Sequence, residues 1–593
     1  MNRARASVVV AIALLLVSAV PAAAAASSPP ASPSPATTGG EKLTLKVGLA
    51  EDVDGMNPFS SWSGPTWEAF RLNYNFLTWY DEEYNVAPDL ALKWEHDPTG
   101  KVWTFHLRDD VVWQDGEPLS ARDVAFTYNL ILDNELAAYT SYLPFVTKVT
   151  ASDDFTVVIE NSRPAAGMLA LYIPILPEHI WSQVPKDKLD SWKNVPCVGS
   201  GPFQVVESKK SHYVKLVANK QYFEGPPALD EVWFEIYQDP DTCIQDYKAG
   251  QLDAVSLTGA NYLRGVQGAP GTTADAYTAI GFHELGFNCW KSPQSKGDPS
   301  LLDARVRQAI HWCIDKQKLV DVAMSGYAQP GTSVVSPLTP WHWEPTAAEK
   351  VTYDPDKARR LLDEAGYKDG DGDGLRETPA GKPWKLRLTP LTDYPEDMSA
   401  GKMIGSWMKD VGIDNTLDPM EEGAFYDVNW EGDFDIYFWS WGGDIDPGFI
   451  LSVFTSEQIH SWSDCYYSNP AFDKLYGEQA AAYDTAKRKE IVDQMQKTIY
   501  DEAPYIVLWY YADTTAYRTD KWTGWTQAPP GKGSPIRNFM RTTYLKLKPA
   551  GTATADKGGA PWTRYVVIAA AVVASVAVVL VVRLRKPALT IEE

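Results

Sequence analysis

The chain has 593 residues, of which 45% are hydrophobic and 22% are charged, so it has room for about three to four domains and cannot be disordered throughout. Its 77 acidic side chains outnumber the 54 basic ones, and the formal net charge is −23. A nucleic-acid-binding surface carries an excess of positive charge, so this composition argues against a nucleic-acid partner.

The amino-terminal segment has the three parts of a secretory signal. Arg3 and Arg5 supply a basic start, an apolar run follows from Ser7 to Val20, and a string of alanines ends at Ala26. This order predicts a signal peptide over residues 1–26. Residues 27–40 are rich in Ser, Pro and Thr and predict a flexible linker.

The carboxyl-terminal segment predicts a membrane anchor. Residues 565–582 carry no charge, and a helix of this length rises about 27 Å, which is close to the thickness of a bilayer core. Arg583, Arg585 and Lys586 follow it, and basic flanks favour the cytoplasmic side. We therefore expect a linker over 549–563, a transmembrane helix over 564–583 and a cytoplasmic tail over 584–593. The bulk of the chain then lies at the outer face of the cytoplasmic membrane, with a single-pass C-terminal anchor.

Five cysteines are spread along the chain, and none forms a C-x-x-C pair; they are Cys197, Cys243, Cys289, Cys313 and Cys465. Outside the cytosol one or two disulfides are expected. Cys313 is expected to remain a free thiol because residues 306–314 read as a helix with this side chain on its apolar face. The pairing among the other four cannot be deduced from spacing.

Common catalytic signatures are absent from the sequence. It has no G-x-S-x-G motif and no G-x-x-x-x-G-K phosphate loop. His283-Glu284 begins like a zinc-protease motif, but the second histidine is missing. A dyad of carboxylates, as used by glycoside hydrolases, stays open as an alternative in so acidic a chain.

One glycine-rich acidic loop has the spacing of a cation site. Its carboxylates occupy positions 1, 3, 5 and 9 of the segment, as Asp369, Asp371, Asp373 and Glu377. Hard cations such as calcium bind several oxygens at once, but position 12, where an EF-hand has a bidentate Glu, is Ala380. The loop is therefore expected to be either a calcium site or a solvated turn before a strand over 384–389. No other cofactor is expected.

Local patterns predict an α/β protein. Residues 103–108 alternate between apolar and polar, as a half-buried strand does, and Gly116-Glu117-Pro118 is a turn sequence. Ser120 and Asp123 have the spacing of a helix N-cap with a capping-box partner. A helix over 353–365 is expected to begin near Asp354 and to end at Gly366.

Five segments in order along the chain resemble one protein family. These segments are residues 49–59 with Asn57-Pro58, residues 87–124, residues 199–203, residues 249–253 and residues 305–316. They resemble the family 5 extracellular solute-binding proteins, the oligopeptide- and dipeptide-binding receptors of ABC importers. The resemblance extends over about residues 43–546.

The resemblance implies a two-lobed, periplasmic-binding-protein-like α/β fold with an extra third domain, besides the signal peptide and the C-terminal transmembrane helix. Lobe I would comprise residues 41–80, 197–283 and 508–548. The extra domain II would comprise residues 81–196, and lobe III would comprise residues 284–507.

Residues 438–447 resemble the family's ligand-binding segment. By this resemblance Asp444 pairs with the α-ammonium of a peptide, Trp441 walls a side-chain pocket, and the backbone of Ser440 and Gly442 pairs with the extended ligand. Asp444 could instead cap a helix that starts near Pro447. Trp62 lies in a segment that matches a ligand edge, where it would either stack on ligand or pack on lobe I.

One position departs from the family pattern. Some tripeptide-binding members have an arginine three residues before the tryptophan, and that arginine holds the ligand carboxylate. The matching residue here is Phe438, so capture of a peptide carboxylate at this position is not expected.

The sequence therefore predicts a monomeric binding protein, not an enzyme, that captures peptides by hinge closure and delivers them to ABC permease subunits. An oligosaccharide-binding receptor of the same family is the first alternative, because tryptophans are abundant. A membrane-tethered glycoside hydrolase and a signalling receptor are the others, although a six-residue end to the cytoplasmic tail argues against signalling.

Overall fold

The computed structural model describes residues 42–551, except Trp62, Ser141, Pro144 and the side chains of Ala137 and Ala138. The predicted signal peptide (1–26), linker (27–40), transmembrane helix (564–583) and tail (584–593) lie outside the described residues, as does most of the 549–563 linker. Within residues 42–551 no helix is both long and apolar enough to cross a bilayer. The C-terminal anchor therefore stays a prediction.

The described part contains nineteen strands. They are β1 (Thr44–Leu49), β2 (Thr78–Tyr80), β3 (Val86–Pro88), β4 (Ala91–His96), β5 (Val102–Leu107), β6 (Val146–Asp153), β7 (Thr156–Asn161), β8 (Phe203–Lys209), β9 (Tyr213–Ala218), β10 (Glu231–Ile236), β11 (Ala254–Leu257), β12 (Thr272–Phe287), β13 (Gln329–Pro330), β14 (Lys385–Thr389), β15 (Asp414–Leu417), β16 (Ile436–Trp441), β17 (Tyr505–Arg518), β18 (Trp522–Thr523) and β19 (Lys548–Pro549).

Fifteen α-helices accompany these strands in the same part of the chain. They are α1 (Gly64–Asn73), α2 (Ala121–Asn134), α3 (Ala137–Thr140), α4 (Glu178–Trp181), α5 (Pro240–Lys248), α6 (Leu263–Val266), α7 (Ala304–Cys313), α8 (Lys316–Ala323), α9 (Pro355–Ala365), α10 (Pro395–Asp410), α11 (Glu422–Trp430), α12 (Gly448–Ser452), α13 (Pro470–Ala480), α14 (Thr485–Glu502) and α15 (Thr542–Lys546).

A large mixed sheet runs through the molecule in the order β15-β14-β16-β12-β17-β11-β1-β10-β9-β8, and β13 adds to β17. Two long strands, β12 and β17, lie at its centre and pair antiparallel along most of their length. We call β11, β1, β10, β9 and β8 the first half of the sheet, and β16, β14 and β15 the second half. Each half has its own apolar core.

The register of the central strand pair is interrupted at two places. Three residues of β12, Ala279 to Gly281, lie between the pairs Thr278↔Ala512 and Phe282↔Tyr510, and a second shift follows between His283 and Glu284. Such bulges bend strands and increase their local twist. The predicted boundaries between lobes I and III, at 283/284 and 507/508, both lie inside these continuous strands. The three-part division stays a prediction, and the bulged pair is where a hinge between the two halves would act.

A separate four-stranded antiparallel sheet in the order β4-β5-β7-β6 lies within the predicted extra domain. Helix α2 packs on it. The alternation predicted for residues 103–108 is confirmed, because buried and partly buried side chains alternate along β5. The Gly116 turn is confirmed as well, with φ of +96° at the glycine.

Helix boundaries follow the predicted caps. The Ser120 and Asp123 side chains form a reciprocal capping box at the start of α2. The Asp354 side chain accepts the Lys357 amide at the start of α9, and Gly366 ends that helix in the left-handed region. These predictions are confirmed because each cap depends only on residues adjacent in sequence.

The cysteines correct one expectation from the sequence. All five are buried free thiols, so the one or two expected disulfides are not present in the structure. Cys313 is free, as expected. Cys197 donates its thiol hydrogen to the Asn194 carbonyl instead (2.8 Å). The backbones of Cys289 and Cys465 are hydrogen bonded at 2.9 Å, but their sulfurs are not joined. The expectation was wrong because cellular location predicts oxidation, whereas packing decides which sulfurs meet.

Tyr483, between α13 and α14, connects the second half of the large sheet with the small sheet. Its hydroxyl donates to the Gly100 carbonyl (3.0 Å). Its ring lies 4.1 Å from the ring of His96 and 5.5 Å from that of Trp103. Gly100 has φ of +67°, and a Cβ there would meet the Tyr483 hydroxyl. This contact holds two parts of the molecule together far from the central strand pair.

We expect Tyr483→Ala to favour a more open ligand-free molecule, because it removes this contact while the central strands remain. The radius of gyration measured by small-angle X-ray scattering should rise, and the free energy of unfolding should fall by about 1–3 kcal/mol. Tyr426→Ala is the matched control, since that ring is 56% exposed. An unchanged radius together with unchanged stability would show that Tyr483 does not hold the two parts together.

Candidate functional site

The largest cavity lies between the end of the small sheet and the segment that follows β16. Its volume is about 690 Å³, within the range typical of small-molecule sites. Six aromatic side chains line it, namely Tyr142, Phe145, Tyr172, Phe449, Trp462 and Tyr476. Its charged lining residues are Arg163, Asp444, Asp446, Glu457 and Arg488. An aromatic wall with a few charged groups suits an amphipathic solute.

Two of the three acidic groups in the cavity have ion-pair partners. Arg488 holds Asp446 in a bidentate pair, with N–O distances of 2.5 and 2.9 Å. Arg163 lies 3.6 Å from Glu457 at an exposed position. Among the described residues, no Lys, Arg or His forms an ion pair with Asp444. The cavity therefore has one uncompensated carboxylate.

Asp444 is a partly exposed carboxylate on the loop after β16. Burial and the neighbouring Asp446 raise the pKa of Asp444 to about 7. A hydrogen bond from the Tyr142 hydroxyl and the charge of Arg71 act in the opposite direction. A cation bound beside Asp444 would remove the cause of this raised pKa, so the geometry favours a cationic group at this position.

Asp446, and not Asp444, caps the short helix α12. The Gly448 amide donates to Asp446 Oδ1 (2.8 Å). Arg488 carries the other half of the arrangement, because it is almost fully buried, bonds Gln479 Oε1 (3.0 Å) and stacks over Trp341. Asp444 is left available to ligand.

The end of β16 offers an unpaired backbone edge. β16 pairs with β12 along its whole length, but on its other side β14 pairs only with Ile436 and Tyr437. Within the described part of the chain, no strand pairs with that side of residues 438–441. Ser440 lies in this stretch, and a Cβ at Gly442 would have no atom within 4 Å. An extended ligand could add there as a further strand.

A buried carboxylate pair supports Trp441 from behind. The Trp441 indole donates to the Tyr505 hydroxyl (3.3 Å), and that hydroxyl donates in turn to Asp464. Burial raises the pKa of Asp464 to about 6, and burial together with Asp464 raises the pKa of Glu284 well above its usual range. Glu284 is therefore protonated at neutral pH. This network fixes the Trp441 ring, which packs edge-on against Phe449.

A second buried network supports Ser440. His283 lies opposite Ser440 on the neighbouring strand. Its Nε2 is 2.8 Å from Asp397 Oδ1, and its Nδ1 is 2.7 Å from the Tyr511 hydroxyl. The Tyr511 hydroxyl in turn lies in hydrogen-bonding contact with Ser440. The side chains on the cleft strand are thus held from both faces of the sheet.

Two further predicted positions differ in outcome. Phe438 is fully buried against the core, 6.3 Å from the His283 ring, which agrees with the absence of a carboxylate anchor there. Trp62 lies outside the described residues, so its role stays a prediction.

The sequence gave no separate signal for several residues of the cavity. Tyr142, Tyr172 and Arg488 were not predicted. Arg488 stands in a helix with other basic residues, and only its burial beside Asp446 distinguishes it. The two tyrosines come from segments far from residue 444 in sequence, and the Tyr172 hydroxyl accepts the Ile445 amide at 2.7 Å.

The acidic loop predicted as a calcium site is exposed and lies outside the cavity. The carboxylates of Asp369, Asp371 and Asp373 come within 4.8 Å of one another. Asp369 also accepts two backbone amides, as a turn residue does. Glu377 accepts the Gly370 amide (2.7 Å), so it closes the base of the loop. Both expectations for this loop remain compatible with its geometry.

The chain matches a known family over most of its length. The sequence profile of the bacterial extracellular solute-binding proteins, family 5, matches residues 85–462. The chain belongs to this family. The resemblance noted from the sequence is thereby confirmed.

Two curated relatives illustrate the range of ligands in the family. The nickel-binding periplasmic protein of Escherichia coli is 28% identical over 459 residues, covering 74% of this chain and 84% of the relative. The oligopeptide-binding protein AppA of Bacillus subtilis is 26% identical over 487 residues, covering 79% of this chain and 86% of AppA.

Solved structures agree with the fold. AppA of Bacillus subtilis in complex with a nonapeptide has a TM-score of 0.65 at 25% identity, covering 86% of this chain and 99% of AppA. The unliganded open form of the murein tripeptide-binding protein MppA has a TM-score of 0.69 at 21% identity, covering 86% of this chain and 98% of MppA. The mixed α/β, two-lobed, periplasmic-binding-protein-like fold is confirmed.

We expect Arg488→Met to destabilise the protein by about 3–5 kcal/mol, because it leaves Asp446 buried without its partner. Urea unfolding monitored by tryptophan fluorescence measures this loss. Arg359→Met is the control, since its pair with Asp356 is exposed and such pairs contribute less than about 1 kcal/mol. Equal losses in both variants would show that the Arg488 pair does not organise the cavity.

If the acidic loop binds calcium, EGTA should lower the melting temperature or expose the loop to protease, because the clustered carboxylates would then repel one another. Asp371→Asn should abolish the EGTA effect. Differential scanning fluorimetry and limited proteolysis measure both. An identical response with and without EGTA would assign the loop as a solvated turn.

Proposed function

We propose that this protein is an extracytoplasmic receptor that captures peptides by their amino terminus and delivers them to an ABC importer. The observation that carries the proposal is Asp444, a carboxylate without an ion-pair partner among the described residues, facing an aromatic cavity in a family 5 fold. The family membership supports the importer, and the chemistry of the cavity supports the ligand.

The α-ammonium of a peptide fits Asp444. A charge-assisted hydrogen bond between an ammonium and a carboxylate is short and strong when water is largely excluded. The raised pKa of Asp444 shows that its charge is poorly stabilised in the ligand-free protein. Binding of a cation relieves this cost, which gives ligand binding a free-energy source that a neutral solute lacks.

The unpaired side of residues 438–441 supports an extended ligand. Backbone hydrogen bonds to this edge would fix the peptide main chain irrespective of its sequence. The aromatic lining would receive side chains through nonspecific apolar contact. A receptor built this way discriminates by the amino terminus and by length more than by side-chain identity.

Ligand capture would act through closure about the bulged central strands. The cavity receives side chains from residues 142–172 and from residues 444–488, which lie on different parts of the fold. A ligand that contacts both parts stabilises the arrangement in which they are close. Permease subunits would then recognise the closed form.

The alternatives from the sequence receive less support. Asp446 is neutralised by Arg488 and caps α12, so it is not available as the second carboxylate of a hydrolase dyad, and the relatives are binding proteins rather than glycoside hydrolases. Of the residues that the structure places around the cavity, none is a His or Cys, which disfavours direct coordination of a bare metal ion. An oligosaccharide would use the aromatic wall but would leave Asp444 without a cationic partner.

We expect Asp444→Asn to weaken binding of alanine tri- to hexapeptides by about 2–5 kcal/mol, or at least about 30-fold. Isothermal titration calorimetry with free and N-acetylated peptides measures the effect. Acetylation should weaken wild type as strongly as the substitution does, and should not weaken the variant further. Glu457→Gln, at the exposed pair with Arg163, is the matched control.

The same carboxylate predicts a pH dependence. Binding needs ionised Asp444, so affinity should rise with pH up to about 7 and fall again above about 8, where the peptide amine loses its proton. Asp444→Asn should lack the acidic limb. Because the folded-state pKa is raised, ionisation costs stability above pH 7, and Asp444→Asn should be more stable than wild type at pH 8 by about 1–2 kcal/mol.

A variant that is more stable and binds as well as wild type would contradict the proposal. Unchanged binding of acetylated peptides by wild type would show that another group receives the ligand. Mass spectrometry of the small molecules released on denaturing the purified protein then distinguishes peptides from sugars.

A further inference from the structure

A second, smaller cavity lies away from the ligand cleft, at the junction of α7, α8, β13 and the segment 350–353. Its volume is about 80 Å³. His311, Lys316 and Lys350 line it together with threonine, tyrosine and apolar residues, and none of the lining residues is acidic. In a chain with a net charge of −23, a cavity with two lysines and no carboxylate on its wall is an exception.

His311 points polar atoms into this space without satisfying them. The side chain is 2% exposed, and neither ring nitrogen has a hydrogen-bond partner among the described residues. A buried polar group left unpaired costs about 1–3 kcal/mol. Burial lowers the pKa of His311 well below its usual range, so the ring is neutral and offers one N–H donor.

Lys316 is the second donor. Its Nζ donates to the Gly331 carbonyl (2.8 Å), which uses one of its three donor positions. Burial and the charge of Lys350 lower the pKa of Lys316 to about 7. The charge of Lys350 is met by Glu344, which bonds it at 2.8 Å. Lys316 has no such carboxylate in direct contact within the described part of the chain.

We propose that this cavity binds a small monovalent anion such as chloride, held between the Lys316 ammonium and a ring N–H of His311. The anion supplies the acceptor that both side chains lack, and it favours the charged form of the lysine. Water could fill the space, but water would not neutralise the ammonium. The site is independent of the peptide cleft and of the proposed function.

The position of the site suggests what the anion stabilises. Pro330, on the cavity wall, pairs with Trp509 of β17, and the Thr332 amide donates to the Tyr510 hydroxyl (3.3 Å). Both contacts lie on the central strand beside its bulge. An anion at Lys316 therefore ties α7 and α8 to the strand about which the two halves would move.

Thermal unfolding of the protein in sodium chloride and in sodium gluconate at equal ionic strength tests the proposal. The melting temperature should rise saturably with chloride, by about 1–4 °C, and gluconate, which is too large for the cavity, should not produce this rise. Lys316→Met should remove the chloride-specific part. Lys318→Met, an exposed lysine on the same helix, should keep it.

Bromide provides a test that does not depend on a variant. Anomalous scattering from crystals of the wild-type protein grown in sodium bromide should show a peak in the cavity within hydrogen-bonding distance of Lys316 Nζ. Equal responses to chloride and gluconate, or density for water alone in the bromide crystals, would overturn the proposal. If Lys316→Met does not fold, the bromide result decides.

Discussion

The pairing of β12 with β17 is the constraint on which the rest of the structure depends. These strands are separated by more than two hundred residues in sequence, and they carry the first half of the sheet on one side and the second half on the other. Closing so long a loop costs entropy that only extensive burial can offset. The bulges between Thr278 and Glu284 keep the pair continuous while they weaken its register at one place. A hinge of this kind can bend without breaking either core.

The cavity shows how charge is distributed between stability and binding. Asp446 and Arg488 form a buried pair that holds the loop after β16, whereas Asp444, two residues earlier, is left with a raised pKa and no ion-pair partner among the described residues. Structural polar groups are satisfied within the protein, and the unsatisfied one lies where a ligand would satisfy it. This division explains why a neutral replacement at Asp444 is expected to gain stability while it loses binding.

Features set by neighbouring residues could be predicted from the sequence, and features set by packing could not. The Ser120 capping box, the end of α9 at Gly366 and the alternation along β5 each depend on a few adjacent residues. The ligand segment around Asp444 was found through its resemblance to a family. The partnership of Arg488 with Asp446, the five free thiols and the cavity at His311 arise from segments that meet only in the folded chain, and no local pattern announces them.

The two ends of the described chain are attached to the same half of the large sheet. The Lys46 amide and the Lys521 ammonium both bond Asp253, and the Ala550 amide bonds the Lys521 carbonyl. A mechanical load applied between residues 44 and 549 would therefore pass through the first half of the sheet and bypass β14, β15 and β16. Pulling on the chain ends would strain this half before it separated the walls of the ligand cavity, so the cavity is mechanically insulated from whatever is attached to either end.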